Sequence, residues 1–319
     1  YIGTIATHFF GGSAGREGTA LQMAGAISDQ FTKPFKLTEN ERKTLLVCAV
    51  SAGFGSVFGT PLAEALFGLE VFLIGIIKYN TIFPVFASAI FADMITDLWK
   101  VKHTHYHIDY IPNAEIMPII YSIIAGIAFG LCAFAFSKSM HFMNNIFKSK
   151  IKYPPFRPLI GGVIVVIFIF VIGNTRYAGL GIPVILESFE LQEPIYVFAL
   201  KIMLTVLTLS AGFKGGEVTP LFFIGATLGS GLSFFIPLPV ALLAGMGFVA
   251  VFAGATNTPL ACLMMGIELF GAESGIYIAV AVITSYLISG HNSIYRKQVI
   301  GTAKNQNYSN DEGKTISDL

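Results

Sequence analysis

The stretch Gly15-Arg16-Glu17-Gly18-Thr19 and its counterpart Gly215-Gly216-Glu217-Val218-Thr219, 200 positions further on, decide how this chain folds. In each copy a glycine-rich turn delivers a glutamate and a threonine just ahead of an apolar run. Further along, Thr60-Pro61-Leu62-Ala63 with Glu70 returns as Thr258-Pro259-Leu260-Ala261 with Glu268, at an offset of 198. Two landmarks that keep register from Glu17 to Glu70 mark a duplication. Duplicated blocks whose apolar segments are broken by glycine and proline at matching positions are a hallmark of secondary transporters, and the breaks point to the substrate site.

Composition sets the class independently. Hydrophobic residues make up 54% of the chain and charged residues 12%, and the mean hydropathy is +0.70. A soluble domain so composed would have too little polar surface, so the chain reads as an integral membrane protein. Cys48, Cys132 and Cys262 lie in apolar segments without paired spacing, which suggests neither a disulfide framework nor a zinc site; they read as small core residues. His103, His105 and His107 alternate in a polar loop and could bind a metal, but a solvated loop is the expectation. No nucleophile, metal cluster or cofactor loop supports an enzyme, so no cofactor, no metal and no nucleic-acid partner is expected.

Apolar runs fall at 1–10, 18–27, 44–55, 60–77, 82–99, 116–136, 158–172, 195–209, 218–235, 240–252, 258–270 and 276–288. A perpendicular spanning helix needs about 20 apolar residues. The shorter runs therefore read as partial, re-entrant or tilted helices, whose freed backbone must be buried in protein or line an aqueous cavity. The fold class is an all-α integral membrane bundle of tilted, re-entrant and spanning helices in inverted repeats. Thr60-Pro61 and Thr258-Pro259 are each expected to place a capping hydroxyl before a first-turn proline.

Residues 137–158 carry Lys138, Lys148, Lys150, Lys152 and Arg157 with no acid, which makes them a cytoplasmic loop by the positive-inside rule. Residues 93–115, with four acids and two lysines, are expected to face outward, and the helix 116–136 connects the two. The tail after Tyr295 is short, polar and cytoplasmic by the same rule, and the plasma membrane is the expected location. The expected division is 1–115 for the later part of a first repeat with an outward loop, 116–295 for a second repeat, and 296–319 for the tail. The chain opens on Tyr1 in an apolar run, without a signal region, and is expected to lack the beginning of the protein. By the duplication, the counterpart of Gly179-Leu180-Gly181-Ile182-Pro183 falls about 20 residues before Tyr1, and the first repeat starts roughly 80 residues upstream.

A helix N-terminus presents unpaired N–H groups and about half a positive charge, so two helices beginning near the bilayer midplane form an anion site without lysine. Glycines at 15, 18, 215 and 216 let backbone approach an ion closely. A carboxylate there competes with the anion: ionised it blocks the path, protonated it leaves. One residue then couples anion movement to proton movement.

Gly15 to Gly18 resembles the gating-glutamate motif of the CLC family of chloride channels and proton-coupled anion antiporters. Gly216 to Pro220 resembles its Gly-x-Phe-x-Pro motif, Gly179 to Pro183 its Gly-x-Gly-Ile-Pro element, and Gly53 to Glu70 its Pro-Leu-Ala helix. Ser293-Ile294-Tyr295 falls where that family places an inner-gate tyrosine. The departures resemble the fluoride-exporting branch: Thr19 stands in place of proline, Val218 in place of phenylalanine, and acidic Glu217 precedes it. Val71 occupies the position where the chloride antiporters carry an internal proton-transfer glutamate, so the resemblance moves that role to Glu217. It thus implies proton-coupled anion transport, with fluoride/proton antiport preferred and a voltage-gated or passive chloride or fluoride channel as the alternative. Glu17 is implied as gate and proton carrier and Glu217 as inner proton carrier. Gly15, Arg16, Gly18, Thr19, Gly216, Val218, Thr219 and Tyr295 are implied to line the anion path. The implied partners are a halide anion (fluoride or chloride), protons, membrane lipid and a second copy in a homodimer.

Each assignment has a plainer rival. Glu17 could pair with Arg16, Glu217 and Thr219 could cap α-helices, and Tyr295 could sit in an interfacial aromatic belt. Glu70 and Glu268, a symmetric pair, read as structural hydrogen-bonding groups. Glu64 has Cys262 as its repeat counterpart and receives no role.

Overall fold

A computed structural model describes residues 1–319, the side chain of Asn307 excepted. The helices are α1 (Ile2–Phe9), α2 (Glu17–Asp29), α3 (Glu39–Phe58), α4 (Pro61–Glu70), α5 (Ile82–Leu98), α6 (Ile116–Lys150) and α7 (Phe156–Ile172). They continue with α8 (Ile182–Glu190), α9 (Val197–Ser210), α10 (Val218–Leu232), α11 (Val240–Thr256), α12 (Pro259–Phe270) and α13 (Gly275–Ile288). Two short strands, β1 (Leu73–Ile74) and β2 (Val299–Ile300), pair in parallel.

The apolar runs become helices, with two corrections. Most of 137–158 is helix: α6 continues to Lys150 and α7 begins at Phe156, because neither glycine nor proline interrupts the chain between Cys132 and Pro154. At 1.5 Å per residue its 35 residues extend about 52 Å, well beyond a hydrocarbon core of about 30 Å. Its last turn, with Lys148 and Lys150, therefore projects past the apolar layer. Helix α8 was not among the apolar runs, since Glu187 and Glu190 dilute it; it starts at Gly181, whose φ of 77° suits glycine, with Pro183 in its first turn.

Helix α11 sits at the centre, with every residue from Leu242 to Thr256 buried. It packs closely on α10, where Gly225 faces the Gly247 carbonyl and Gly229 that of Leu243; a Cβ at either glycine would strike backbone. Small residues that let two backbones touch are the usual basis of helix association in a membrane. Phe222 stacks on Phe248 at 4.0 Å between ring centroids, and Phe67 of α4 on Phe252 at 5.8 Å, joining early helices to late ones. Large apolar side chains such as Phe83, Phe91 and Phe170 remain exposed on the outer faces of α5 and α7.

Helices α4 and α12 show the inverted relationship directly. Thr60 and Thr258, their caps, have nearly the same backbone angles (φ −126° and −123°, ψ 67° in both), and each helix carries proline in its first turn. The expected threonine caps are absent: Thr60 Oγ1 donates to Glu64 Oε1 at 2.7 Å, and Thr258 Oγ1 pairs with Thr256 Oγ1 at 2.7 Å. The first-turn N–H groups are taken by carboxylates from the other helix. Glu70 accepts from Leu260 N at 3.2 Å and Ala261 N at 2.8 Å; Glu268 accepts from Leu62 N at 3.1 Å and Ala63 N at 2.8 Å. Each helix end thus caps the start of its partner, which requires the two to run antiparallel, and each carboxylate meets the positive end of a dipole.

Removing either acid orphans two amides, at about 1–3 kcal/mol per buried group. Glu70→Ala should cost more than Glu268→Ala, because Glu70 is itself buried, at 7% exposure, whereas Glu268 is half-buried and water can reach the amides it leaves. Unfolding in detergent should rank wild type above Glu268→Ala above Glu70→Ala; equal stability of all three would remove the capping argument.

Candidate anion site

The two glycine motifs meet. Gly15 and Gly216 form an antiparallel backbone bridge, Gly15 N to Gly216 O at 2.6 Å and Gly216 N to Gly15 O at 2.8 Å. Only glycine fits at this crossing. A Cβ on Gly15 would collide with the Glu17 carboxylate and crowd Gly216 O at 3.1 Å; one on Gly216 would lie 2.8 Å from Gly18 N. Ser13 adds a second tie, Oγ to Thr205 Oγ1 at 2.9 Å and N to Thr208 Oγ1 at 3.3 Å, both on α9.

The bridge sets the N-termini of α2 and α10 side by side. Glu17 is the first residue of α2 and is 3% exposed, with Oε2 buried and unpartnered. Arg16 is exposed and forms no ion pair with it. Glu217 is the N-cap of α10, but its side chain makes no capping hydrogen bond. It instead lines a cavity of about 470 Å³ together with Thr4, Thr19, Gln22, Asn144 and Lys214. One acid is therefore enclosed and the other faces open space.

The two threonines differ. Thr19 Oγ1 is hydrogen-bonded to Thr4 Oγ1 at 2.7 Å, so it is already engaged within the protein. Thr219 is 5% exposed and its Oγ1 is buried without a partner, an orphan that invites a ligand. Val218 is buried at the start of α10. Gly18 lies against Gly216, where an added Cβ would meet its Cα at 3.2 Å. Tyr295 is half-buried after α13, within electrostatic range of Glu217. The chain thus brings Gly15, Glu17, Gly18, Gly216, Glu217 and Thr219 together, and leaves Arg16 at the rim.

Two polar residues of the interior were missed by sequence reasoning. Lys201 of α9 is fully buried; its Nζ donates to the carbonyls of Tyr177 at 3.0 Å and Gly179 at 2.9 Å, and lies 4.8 Å from the Phe223 ring centroid. Its signal was visible as the one charge in the run 195–209, since ionisable residues inside apolar spans are functional by default. Tyr106, from the loop before α6, reaches inward to pack on Phe189 and Phe248, and sequence offered no sign of this.

The histidines do not converge. His103 docks on Val57 O at 3.1 Å, while His105 and His107 are exposed, the latter beside Asp109. No cluster of three metal-ligating side chains occurs among the described residues. Glu64 is fully buried, and its Oε2 has no partner.

Carboxylates and an unpartnered hydroxyl gathered at two helix starts, in a bundle of inverted helices, define an ion-transporting membrane protein. The sequence profile described as "Voltage gated chloride channel" matches residues 1–290. The chain belongs to this family, the CLC channels and transporters, and is a transport protein rather than an enzyme. It is 47% identical over 309 residues to a chloride/fluoride channel protein of Pseudomonas syringae pv. tomato, covering 95% of this chain and 68% of that one. The crystal structure of a CLC-type fluoride/proton antiporter superposes with a TM-score of 0.90 at 34% identity, covering 93% of this chain and 75% of that one. A slow cyanobacterial chloride/proton antiporter gives a TM-score of 0.74 at 21% identity over 89% and 69% of the two chains, a likeness that bears on the fold alone.

Gly15→Ala should reduce anion flux on the order of tenfold or more, because the bridge that aligns the two helix starts must part. Gly25→Ala, where an added Cβ meets nothing within 4 Å, is the matched control. Efflux from liposomes compares them; equal rates would show that the crossing does not set the site.

Proposed function

We propose that the chain exchanges fluoride for protons across a membrane. The observation that carries the reading is the pair of acids at the bridged helix starts, Glu17 enclosed with a free oxygen and Glu217 at the cavity. A glutamate held against unpaired N–H groups occupies an anion's place while ionised and releases it when protonated. Glu17 is the gate in this reading. Glu217 passes protons between Glu17 and the cavity, a role consistent with Val71 standing where a second acid would otherwise serve. Backbone at Gly15, Gly18 and Gly216, with Thr19, Val218, Thr219 and Tyr295, lines the anion path, and Arg16 stands at its rim. The names of the 47%-identical relative and the 34%-identical antiporter support fluoride as the ion.

The remaining assignments follow from charge and surface. The basic end of α6 with the connection 151–155 and the first turn of α7, and the tail from 296, face the cytoplasm by the positive-inside rule, and the membrane is the plasma membrane. Residues 1–115 and 116–295 form the two repeats. The exposed apolar faces of α5 and α13 meet lipid or a second copy in a homodimer with one path per subunit.

In liposomes with simultaneous anion and pH recording, Glu17→Gln should abolish proton-coupled exchange, since an amide carries no titrating proton. Glu217→Gln should suppress proton movement more than anion binding. Coupling that survives in Glu17→Gln sinks the gate assignment; stoichiometric exchange in Glu217→Gln returns that residue to a structural place. Fluoride without proton movement in the wild type would favour the passive-channel reading.

Fluoride is small and strongly hydrated, so a site that admits it must replace much of its water with donors. Thr219 offers an unengaged hydroxyl, whereas Thr19 shares its own with Thr4. Thr219→Val should therefore lower fluoride efflux more than any chloride efflux, and more than Thr19→Val does. Parallel efflux assays decide it: equal loss for both ions refutes the hydroxyl as a fluoride donor.

A further inference from the structure

Tyr295 lies on a segment with unusual fastening. Immediately before it, Ile294 N donates to Ala255 O at 3.0 Å, and Tyr295 N donates to Ser293 Oγ at 3.1 Å. His141, on α6, spans the tyrosine: one ring nitrogen lies 2.7 Å from Ser293 O and the other accepts from Arg296 Nε at 3.0 Å. A carbonyl only accepts and a guanidinium only donates, so His141 must be neutral with its proton on Nε2.

On the other side stands Gln298, 2% exposed. Its Nε2 donates to Val71 O at 2.9 Å, where α4 ends, and to Thr256 O at 2.8 Å, where α11 ends. Its Oε1 accepts from Asn257 Nδ2 at 3.2 Å, and its backbone N closes a turn onto Tyr295 O at 3.1 Å. Both donors and the acceptor of a buried amide are used, which fixes its orientation. Strand β2 follows at once and pairs with β1, immediately after α4.

We propose that His141 and Gln298 are positioning residues for the inner gate, holding Tyr295 in a bracket that refers its place to α4, α6 and α11 together. This inference rests on the reading of Tyr295 as the inner gate. Neither side chain touches the ion. A shift of α4 relative to α11 is carried through the Gln298 amide to the tyrosine three residues away, so the inner gate follows the relative position of the two repeats.

The His141 arm has a chemical release. A second proton on Nδ1 removes the acceptor that Arg296 uses and sets two cations face to face. The charged groups acting on this imidazole are Arg296 from the tail and Lys138 one turn back on α6, and Ser293 contributes its carbonyl. His141→Gln keeps a donor and an acceptor without titrating; His141→Phe removes both. Gln298→Met keeps the shape and removes every side-chain polar contact, and Gln298→Asn, an amide one methylene short of its partners, is the milder variant where Met is not recovered folded.

The proton-to-fluoride ratio in liposomes is the readout, taken with melting temperature in detergent. His141→Phe and the Gln298 variant should each lower the ratio about threefold by letting fluoride pass uncoupled, with His141→Gln close to wild type. Acid on the inner side, about pH 5.5 against about 7.5, should lower it in wild type and not in His141→Gln. In a Tyr295→Ala background neither substitution should change it further. A lower melting temperature with an unchanged ratio, or an undiminished effect in the Tyr295→Ala background, overturns the bracket. If the wild type couples no protons, the antiport reading falls first, and the same double-mutant comparison on passive fluoride flux then decides the inference: additive effects overturn it.

Discussion

The backbone pair between Gly15 and Gly216 is the constraint on which the rest depends. Two hydrogen bonds join the loops that precede α2 and α10, and both helices therefore begin at one place instead of two. Any side chain at either glycine would push the helix starts apart. The convergence of the two helix starts and the enclosure of Thr219 are consequences of that crossing. A strand bridge this short has little stability of its own; α9, through Thr205 and Thr208, and the glycine contacts of α10 on α11 hold it from behind.

The buried acids sort themselves by what their oxygens find. Glu70 and Glu268 place both carboxylate oxygens on the amides of a partner helix, so their charge is absorbed in the fold. Glu17 has an oxygen with no protein partner at a helix start, and Glu217 uses none of its capacity to cap α10. An ionised group left unsatisfied in an apolar layer is costly, and it is retained where it must change partners. Glu64 is intermediate: one oxygen is bonded to Thr60, and the other is free but lies apart from the helix starts.

Much of this was legible in the sequence, because glycine, proline and acid positions repeat by number and number survives folding. The duplication placed Glu17 opposite Glu217, and the apolar runs located helices at all but one position. Cross-chain exchange was not legible. Thr60 and Thr258 carry a local capping pattern, but the acids of the partner helix reach their first turns and displace the hydroxyls. Charge counting placed a loop at 137–158 although the residues there favour helix, since a rule about sidedness does not report backbone conformation. The Thr4–Thr19 bond likewise depends on how α1 packs beside α2, which no spacing encodes.

That last contact makes the site asymmetric in spite of its duplicated parts. Thr19 and Thr219 hold matching positions, yet one hydroxyl is committed to Thr4 and the other is unspent. The acids diverge in the same sense, Glu17 enclosed and Glu217 open to the cavity. A symmetric pair would bind an ion equally from both sides and give it no reason to move in step with a proton. On the proposed reading, the differences between the two helix starts supply direction: the enclosed acid and the free hydroxyl serve the ion, the open acid the proton's route, and the segment carrying Tyr295 the inner gate.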